Sequence, residues 1–312
     1  MTGPLTFGPA ILRNAAYAAA QPKLSVLIPF YKESPIDLLR ALQTYDPADI
    51  EIVLIDDGSQ MPEITARVTA FVEASELACE LITLTENEGR ARGRNRLTTE
   101  ARGGYFLFLD SDMLPDAPNF LDRWVATMRA NPPVVFGGFS LKQAPDDIRF
   151  DVHRVMAGHS DCLDAATRTL TPEKYVFTSN LLIRRDVFAA EGFDPDFTGW
   201  GWEDVEWAMR VSARFGVSHI DNPATHMGLD TPQSLARKYE QSVENFARVI
   251  RKHPQVVSQY PSYKAAKLLK FVPLISTIRK GIKAVALASI APVKLRALAL
   301  RVYRAALYAQ VV

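Results

Sequence analysis

Four short apolar runs recur along the first third of the chain, and each ends next to residues that carry chemistry. They are Leu24–Phe30 (LSVLIPF), Glu51–Ile55 (EIVLI), Glu80–Leu84 and Tyr105–Leu109 (YFLFL). A run of this length that stays apolar at consecutive positions reads as a strand buried on both faces. Helix signals fall between the runs. Ser34-Pro35-Ile36-Asp37 reads as an N-cap, a proline at the first helical position and an acid in the first turn. Pro62 opens a helix with Ile64, Val68, Phe71 and Val72 as its apolar positions, and Gly89–Arg102 and Phe120–Met128 read as two more. The alternation predicts an α/β fold, a Rossmann-like, mostly parallel sheet flanked by helices. Ligands of such sheets bind beyond the C-terminal ends of the strands. The segments to examine are therefore Pro29–Glu33, Asp56–Ser59, Asn87–Asn95 and Asp110–Asp112. After Pro145 the rhythm breaks. Asp146–Lys174 is polar without a clear assignment, Tyr175–Ile183 predicts a strand, Glu203–Phe215 a helix and Thr231–His253 a longer helix.

A chain of 312 residues, 48% hydrophobic, suits one large domain with an appendage. The expected division is a catalytic domain over 1–253 and a tail over 254–312. The domain would have a nucleotide-binding half at about 23–140 and an acceptor half at about 141–253. The net charge of +1 hides an asymmetry. From Asn245 to the end there are thirteen Lys or Arg and no Asp or Glu, so the first 244 residues carry a balance of −12. That acidic body counts against nucleic acid as a partner. Cys79 and Cys162 are far apart and in no metal-type spacing, which fits a reducing compartment. The N-terminus lacks the build of a signal peptide, and no uncharged apolar run approaches the ~20 residues that cross a bilayer. The expectation is a cytoplasmic protein.

Asp110-Ser111-Asp112 directly follows the fourth apolar run. Residues i and i+2 of an extended chain project to one side, and two carboxylates that close repel unless a cation sits between them. Hard oxygen ligands suit Mg²⁺ or Mn²⁺, which would also grip a diphosphate. The alternative is a solvated acidic loop. Asp57, in Asp56-Asp57-Gly58-Ser59, can accept from a base N–H or a ribose hydroxyl, or belong to an ordinary Asp-Gly turn. Arg90, Arg92 and Arg94 lie near a helix start, a natural diphosphate site, or form a solvated basic face. Gly199–Glu206 (GWGWEDVE) alternates glycine and tryptophan before two acids at a helix start. It reads as a flexible, aromatic-walled sugar loop, or as a helix with core tryptophans. His226 gains meaning only if the fold brings it to Asp112.

Taken in order, these pieces resemble the family 2 glycosyltransferases. Leu24–Tyr31 (LSVLIPFY), Ile55–Ser59 (IDDGS), Asn87–Gly89 with Arg94-Asn95, and Phe108–Asp112 (FLDSD) match its N-terminal signposts. Gly199–Asp204 (GWGWED) and His226 look like the part shared with β-1,4-galactosyltransferases and chondroitin-type polymerases. The resemblance implies a GT-A fold with a basic helical extension, a UDP-linked donor, and Mn²⁺ or Mg²⁺. By motif, Asp57 would contact the base, Asp110 the ribose or metal, Asp112 and His226 the metal. Asp204 would be the catalytic base, Glu203 would bind sugar hydroxyls, and Trp200 would pack against the sugars. Pro29, Tyr31, Glu33, Asn87, Arg94, Gly201 and Trp202 complete the expected donor site. Two positions depart from the family pattern. Trp202 stands where the second glycine of Gly-Gly-Glu-Asp is usual, and Gly93 where alanine is usual. The Gln-x-x-Arg-Trp signature of processive membrane synthases is absent from the sequence, which implies one sugar added per encounter.

Two other classes compete. A sugar-phosphate nucleotidyltransferase would carry a Gly-rich loop after the first strand, where this chain has Pro29-Phe30-Tyr31-Lys32-Glu33. A non-catalytic sugar-binding scaffold would not need Asp110, Asp112, Asp204 and His226 together. The tail mixes Lys264, Lys267, Lys270, Arg279, Lys280 and Lys283 with Leu268, Leu269, Phe271 and Ile275. Farther on, Leu295, Leu298, Val302 and Ala305 recur at helical spacing. This pattern fits segments lying on an anionic membrane surface, on the inner face of the cell membrane, with a glycan or lipid-linked acceptor. The alternative is a helical subdomain packed on the acidic body.

Overall fold

The computed structural model describes residues 9–44 and 46–312. Residues 1–8, where the stretch read against a signal peptide begins, lie outside the described residues. The strands are β1 Ala10–Arg13, β2 Leu24–Phe30, β3 Ile50–Asp56, β4 Ala78–Thr83, β5 Tyr105–Leu109, β6 Met113–Pro115, β7 Val134–Phe136, β8 Phe139–Ser140, β9 Asn180–Arg184, β10 Ser218–His219 and β11 Ala224–His226. Eight of them form one sheet in the order β1-β4-β3-β2-β5-β9-β7-β10, and β6-β11-β8 form a second, small one. The β4-β3-β2-β5 centre is parallel, as the alternating pattern requires. The chain winds outward from β2 to β4, then returns to β5 on the other side of β2. This reversal places the loops after β2 and β5 side by side, the crevice in which α/β sheets hold ligands.

The helices are α1 Ile36–Ala41, α2 Pro62–Ala74, α3 Arg90–Glu100, α4 Phe120–Met128, α5 Asp151–Gly158, α6 Ala165–Thr169, α7 Arg185–Ala190, α8 Glu203–Arg214, α9 Pro232–Lys252, α10 Pro254–Val257, α11 Pro261–Leu269, α12 Ile275–Leu287 and α13 Val293–Tyr308. Strand β2 shows why the runs are continuously apolar. Val26 and Ile28 enter a core shared with α1, α2 and α4, while Leu27 enters the opposite core with α3, α7 and α8. Both faces are covered, so no position along the strand can be polar without a partner.

Two local readings are revised, and one strand is added. The Tyr175–Ile183 strand shrinks to β9, because Pro172–Tyr175 is a 3₁₀ turn and ladder pairing starts at Asn180. Pro35 is the N-cap of α1 rather than its first helical residue; Ser34 Oγ accepts from Ile36 N at 3.5 Å. Strand β1 pairs antiparallel with β4 and covers that edge; its four residues are too few to show a period in sequence.

The basic tail shares a core with the body. α13 lies against α9 and α5, and Leu300, Tyr303, Leu307 and Tyr308 join Leu235, Tyr239, Phe246 and Val249 of α9 in a third hydrophobic cluster. Residues on both sides of His253 thus bury the same apolar surface. Among the described residues, no helix is long and apolar enough to cross a membrane. Leu300 is 0% exposed. Leu300→Ala is expected to cost about 2–5 kcal/mol of stability, read from urea unfolding of the full chain; a loss below about 1 kcal/mol would mean that α13 is not held in this core.

Candidate functional site

The site forms where the loops after β2, β3, β4 and β5 meet the start of α8. Its centre is Arg94, on the second turn of α3 and 2% exposed. Arg94 Nη2 donates to Asp110 Oδ1 at 2.7 Å, and Nη1 lies 3.5 Å from Glu203 Oε1. One buried guanidinium therefore ties the end of β5 to the start of α8, whose Glu203 is 109 residues from Arg94 in sequence. Arg90, one turn earlier and more exposed, approaches the same Glu203 oxygen at 3.9 Å. Burial alone would raise the Asp110 pKa, but Arg94 and Arg90 outweigh it and hold the carboxyl below its ordinary range. Arg92 points its exposed side chain along the outer face of α3.

Asp204 stands differently from Glu203. Its Oδ1 accepts from Val205 N at 2.8 Å, and no arginine lies within ion-pair distance. Burial and the neighbouring Glu203 push its pKa up to about 7. The loop before it is built for tight turning, with Gly199 at φ +73° and Gly201 at φ +85°. Asn245 of α9 donates to Thr198 O and Gly201 O at 2.8 and 2.9 Å, which pins this loop from the side. The Trp200 ring lies 6.1 Å from that of Tyr239, with Lys238 Nζ 5.8 Å from its centroid. The Trp202 indole is engaged elsewhere, packed at 4.8 Å on Phe246 and hydrogen-bonded to Tyr308. It faces the tail helix rather than the pocket.

The small sheet brings the distant histidine into place. β11 pairs antiparallel with β6 so that His226 sits opposite Met113, next to Asp112. His226 Nε2 is 3.2 Å from Asp112 Oδ2, and Met227 N donates to Asp112 O at 2.9 Å. Burial lowers the His226 pKa, but the bond to Asp112 more than reverses it, so a metal here competes with a proton. Among the described residues there is no cluster of three or more His, Cys, Asp or Glu able to hold a metal. Asp112 and His226 are a carboxylate and an imidazole 3.2 Å apart, a pair of groups whose chemistry could serve a divalent cation. His153 stands behind His226 at 5.9 Å, its Nδ1 accepting from Asp230 N, and burial holds its pKa down at about 4. Sequence reasoning missed it, since a lone histidine in a helix carries no signal.

Gly228 was also missed. A Cβ there would sit 1.9 Å from Asp112 Oδ2 and 3.4 Å from His226 Nε2. Its place two residues past His226 was the available clue. The remaining expected residues lie in β2 and in the loops after β2, β3 and β4. Asp57 takes three bonds, from Asn87 Nδ2 at 3.0 Å, Glu88 N at 2.8 Å and Gly89 N at 3.1 Å, and so shapes the loop that opens α3. Pro29 lies within β2, and Tyr31 is 43% exposed at its end. Glu33, at the exposed rim, lies within the fields of Asp112, Lys238 and His226.

Comparisons with known proteins bear on the family and the fold. The profile of glycosyl transferase family 2 matches residues 25–191. The chain belongs to that family. Validoxylamine A glucosyltransferase of Streptomyces hygroscopicus subsp. limoneus is 27% identical over 274 residues, 76% of this chain and 58% of that protein. Glycosyltransferase AglE of Haloferax volcanii is 26% identical over 202 residues, 61% of this chain and 62% of its own. The chain thus spans less than two thirds of the length of these curated relatives. The mannosyltransferase PcManGT of Pyrobaculum calidifontis, solved with GDP-Man and Mn²⁺, superposes with a TM-score of 0.55 at 19% identity, over 97% of this chain and 90% of that one. S. aureus TarS 1–349, solved with UDP, gives 0.52 at 16% identity, over 93% and 90%. These likenesses establish the GT-A fold for this family member, and its helical tail lies within the superposed length.

Gly228→Ala is expected to push Asp112 off His226. In calorimetric titrations with UDP and Mn²⁺, it should weaken metal-dependent nucleotide binding about tenfold or more, the effect also expected of Asp112→Ala. Wild-type affinity in Gly228→Ala would remove the dyad from the metal site.

Proposed function

We propose that this protein is an inverting, metal-dependent glycosyltransferase, with Asp204 as general base. It would move one sugar from a nucleoside-diphosphate donor, UDP-linked, to a hydroxyl of a glycan or lipid-linked acceptor. The observation that carries the reading is the unequal use of the two acids at the start of α8. Glu203 is committed to Arg94 and Arg90, whereas among the described residues Asp204 is bonded only to its neighbour's amide. A general base must be free to take a proton, and a raised pKa makes it a better acceptor. The likeness of Gly199–Asp204 and His226 to β-1,4-galactosyltransferases and chondroitin-type polymerases supports the same assignment.

In this reading the acceptor hydroxyl gives its proton to Asp204 as its oxygen attacks the anomeric carbon and the diphosphate leaves. One in-line displacement inverts the centre, so an α-linked donor gives a β-linked product. Asp110 takes the ribose, Asp57 and Asn87 shape the base side, and Trp200 packs against the sugars. Arg90, more exposed than Arg94 and at the start of α3, is the better-placed arginine for the diphosphate. A divalent cation, Mn²⁺ or Mg²⁺, held by Asp112 and His226 would neutralise charge on the leaving diphosphate. Arg94 itself acts by keeping Asp110 and Glu203 in register.

The acceptor side carries a second part of the proposal. The tail exposes Leu268, Phe271, Leu274, Ile278, Ile290 and Leu298, with Phe271 at 76% and Ile290 at 95%. Lys264, Lys267, Lys270, Arg279 and Lys280 lie among them. Exposed apolar side chains within a basic surface fit peripheral binding to an anionic membrane, on its cytoplasmic face, and hence a lipid-linked acceptor.

Two experiments test these parts. With the donor chosen from a panel of UDP- and GDP-sugars in Mn²⁺, Asp204→Asn should leave nucleotide binding near normal and lower turnover by a factor on the order of 10² or more. Glu203→Gln should weaken sugar binding with a smaller loss at saturation. The base works deprotonated, so kcat/KM should fall as pH drops below a pKa at or under about 7, since a nearby cation can only lower it. Near wild-type turnover in Asp204→Asn with a dead Glu203→Gln would reverse the roles, and a chain that binds but never cleaves any donor would be a scaffold. For the membrane, the triple change Phe271→Glu, Leu274→Glu, Ile290→Glu should abolish sedimentation with phosphatidylglycerol vesicles. Equal binding by variant and wild type would overturn the docking surface.

A further inference from the structure

Trp202 has φ +76° and ψ −13° and is the N-cap of α8, immediately before Glu203 and Asp204. This is the left-handed region, which is strained for an ordinary residue and which glycine enters freely. Gly199 and Gly201, three residues and one residue earlier, occupy positive φ as well, so three residues of one loop need it and of these Trp202 is the one with a side chain that resists. Something must hold the tryptophan there, and the contacts identify it. The Trp202 indole Nε1 donates to Tyr308 Oη at 2.9 Å. Ser242 Oγ donates to Tyr239 O at 2.8 Å, so in its 2.8 Å contact with Tyr308 the phenol is the donor. The bonds form one directed chain, from indole to phenol to serine to the backbone of α9, with each hydroxyl donating once and accepting once. Phe246 stacks on Tyr308 at 4.1 Å and lies under Trp202 at 4.8 Å.

We propose that Tyr308, near the end of the tail helix, is a positioning residue for the catalytic loop. It holds Trp202 in its strained turn and so sets where α8 presents Asp204. The C-terminal helix is then a working part of the transferase, although it lies far outside the 25–191 family match. The inference rests on Asp204 being the base, but its test is read at other residues.

The experiment is a double-mutant cycle on the full chain with Tyr308→Phe, Trp202→Gly and the pair. Hydrogen exchange of the peptide spanning residues 198–206 needs no ligand. Nucleotide release from the UDP-sugar chosen by the panel, in Mn²⁺, gives kcat and donor KM, and melting temperature is followed alongside. Tyr308→Phe keeps the ring and removes the hydroxyl. It should speed exchange of the loop peptide and lower kcat about two- to tenfold, the worth of one hydrogen bond, with donor KM unchanged. In the Trp202→Gly background, where the turn is unstrained, the same change should have no further effect on exchange or kcat. Unchanged loop exchange in Tyr308→Phe overturns the proposal. So does faster exchange without loss of kcat, a melting shift alone, or an equal loss in both backgrounds. If Asp204→Asn in the same assay keeps its turnover, the base assignment fails while the coupling of 202 and 308 still stands or falls on the cycle.

Discussion

The buried guanidinium of Arg94 is the contact on which the site depends. It is hydrogen-bonded to Asp110 and paired with Glu203, with 2% of its side chain exposed. Two carboxylates from separate halves of the molecule would repel in that space. With Arg94 between them they are drawn together, at the cost of removing three charges from water. Such an arrangement contributes little net stability, but removing Arg94 would take the ion-pair partner from Asp110 and leave Glu203 to the longer contact with Arg90. Its value here is registration. The same interaction aligns the loop after β5 with the start of α8, and it engages Glu203, whereas the Asp204 carboxylate accepts from the Val205 amide.

A second constraint comes from the C-terminal helices. They extend the apolar face of α9 and place Tyr308 against the loop that precedes the two acids. A loop rich in glycine would otherwise be mobile, because each left-handed turn is only one of several conformations open to glycine. Asn245, Ser242 and Tyr308 remove that freedom from outside the pocket, and none of the three needs to touch a substrate to matter. The tail therefore serves two surfaces at once. Its inner face is core, and its outer face carries the basic and exposed apolar side chains.

Much of the framework was legible from the sequence. The apolar runs Leu24–Phe30 and Tyr105–Leu109 are strands with those bounds, because a strand buried on both faces offers few polar positions to blur its edges. Phe120–Met128 is likewise a helix as read. The position of Asp110 and Asp112 at a strand's end followed from the parallel order alone. Less legible were segments whose conformation is decided by partners. Tyr175–Ile183 looks like a strand in composition, yet only Asn180–Arg184 finds neighbours to pair with. Gly228 looked like any loop glycine until the Asp112 carboxylate was seen to fill the space where its side chain would be.

The sequence by itself determined the mostly parallel α/β sheet, the acidic residues that follow its strands, and the basic character of the tail. These rest on local chemistry, namely hydrophobic period, turn residues and charge, which neighbours in sequence suffice to express. Only the tertiary structure decided which of two adjacent acids is free, whether His226 meets Asp112, which way Trp202 faces, and how the tail divides between core and surface. Each of those is a contact between residues tens to more than a hundred positions apart, and no local pattern encodes which distant side chain will arrive.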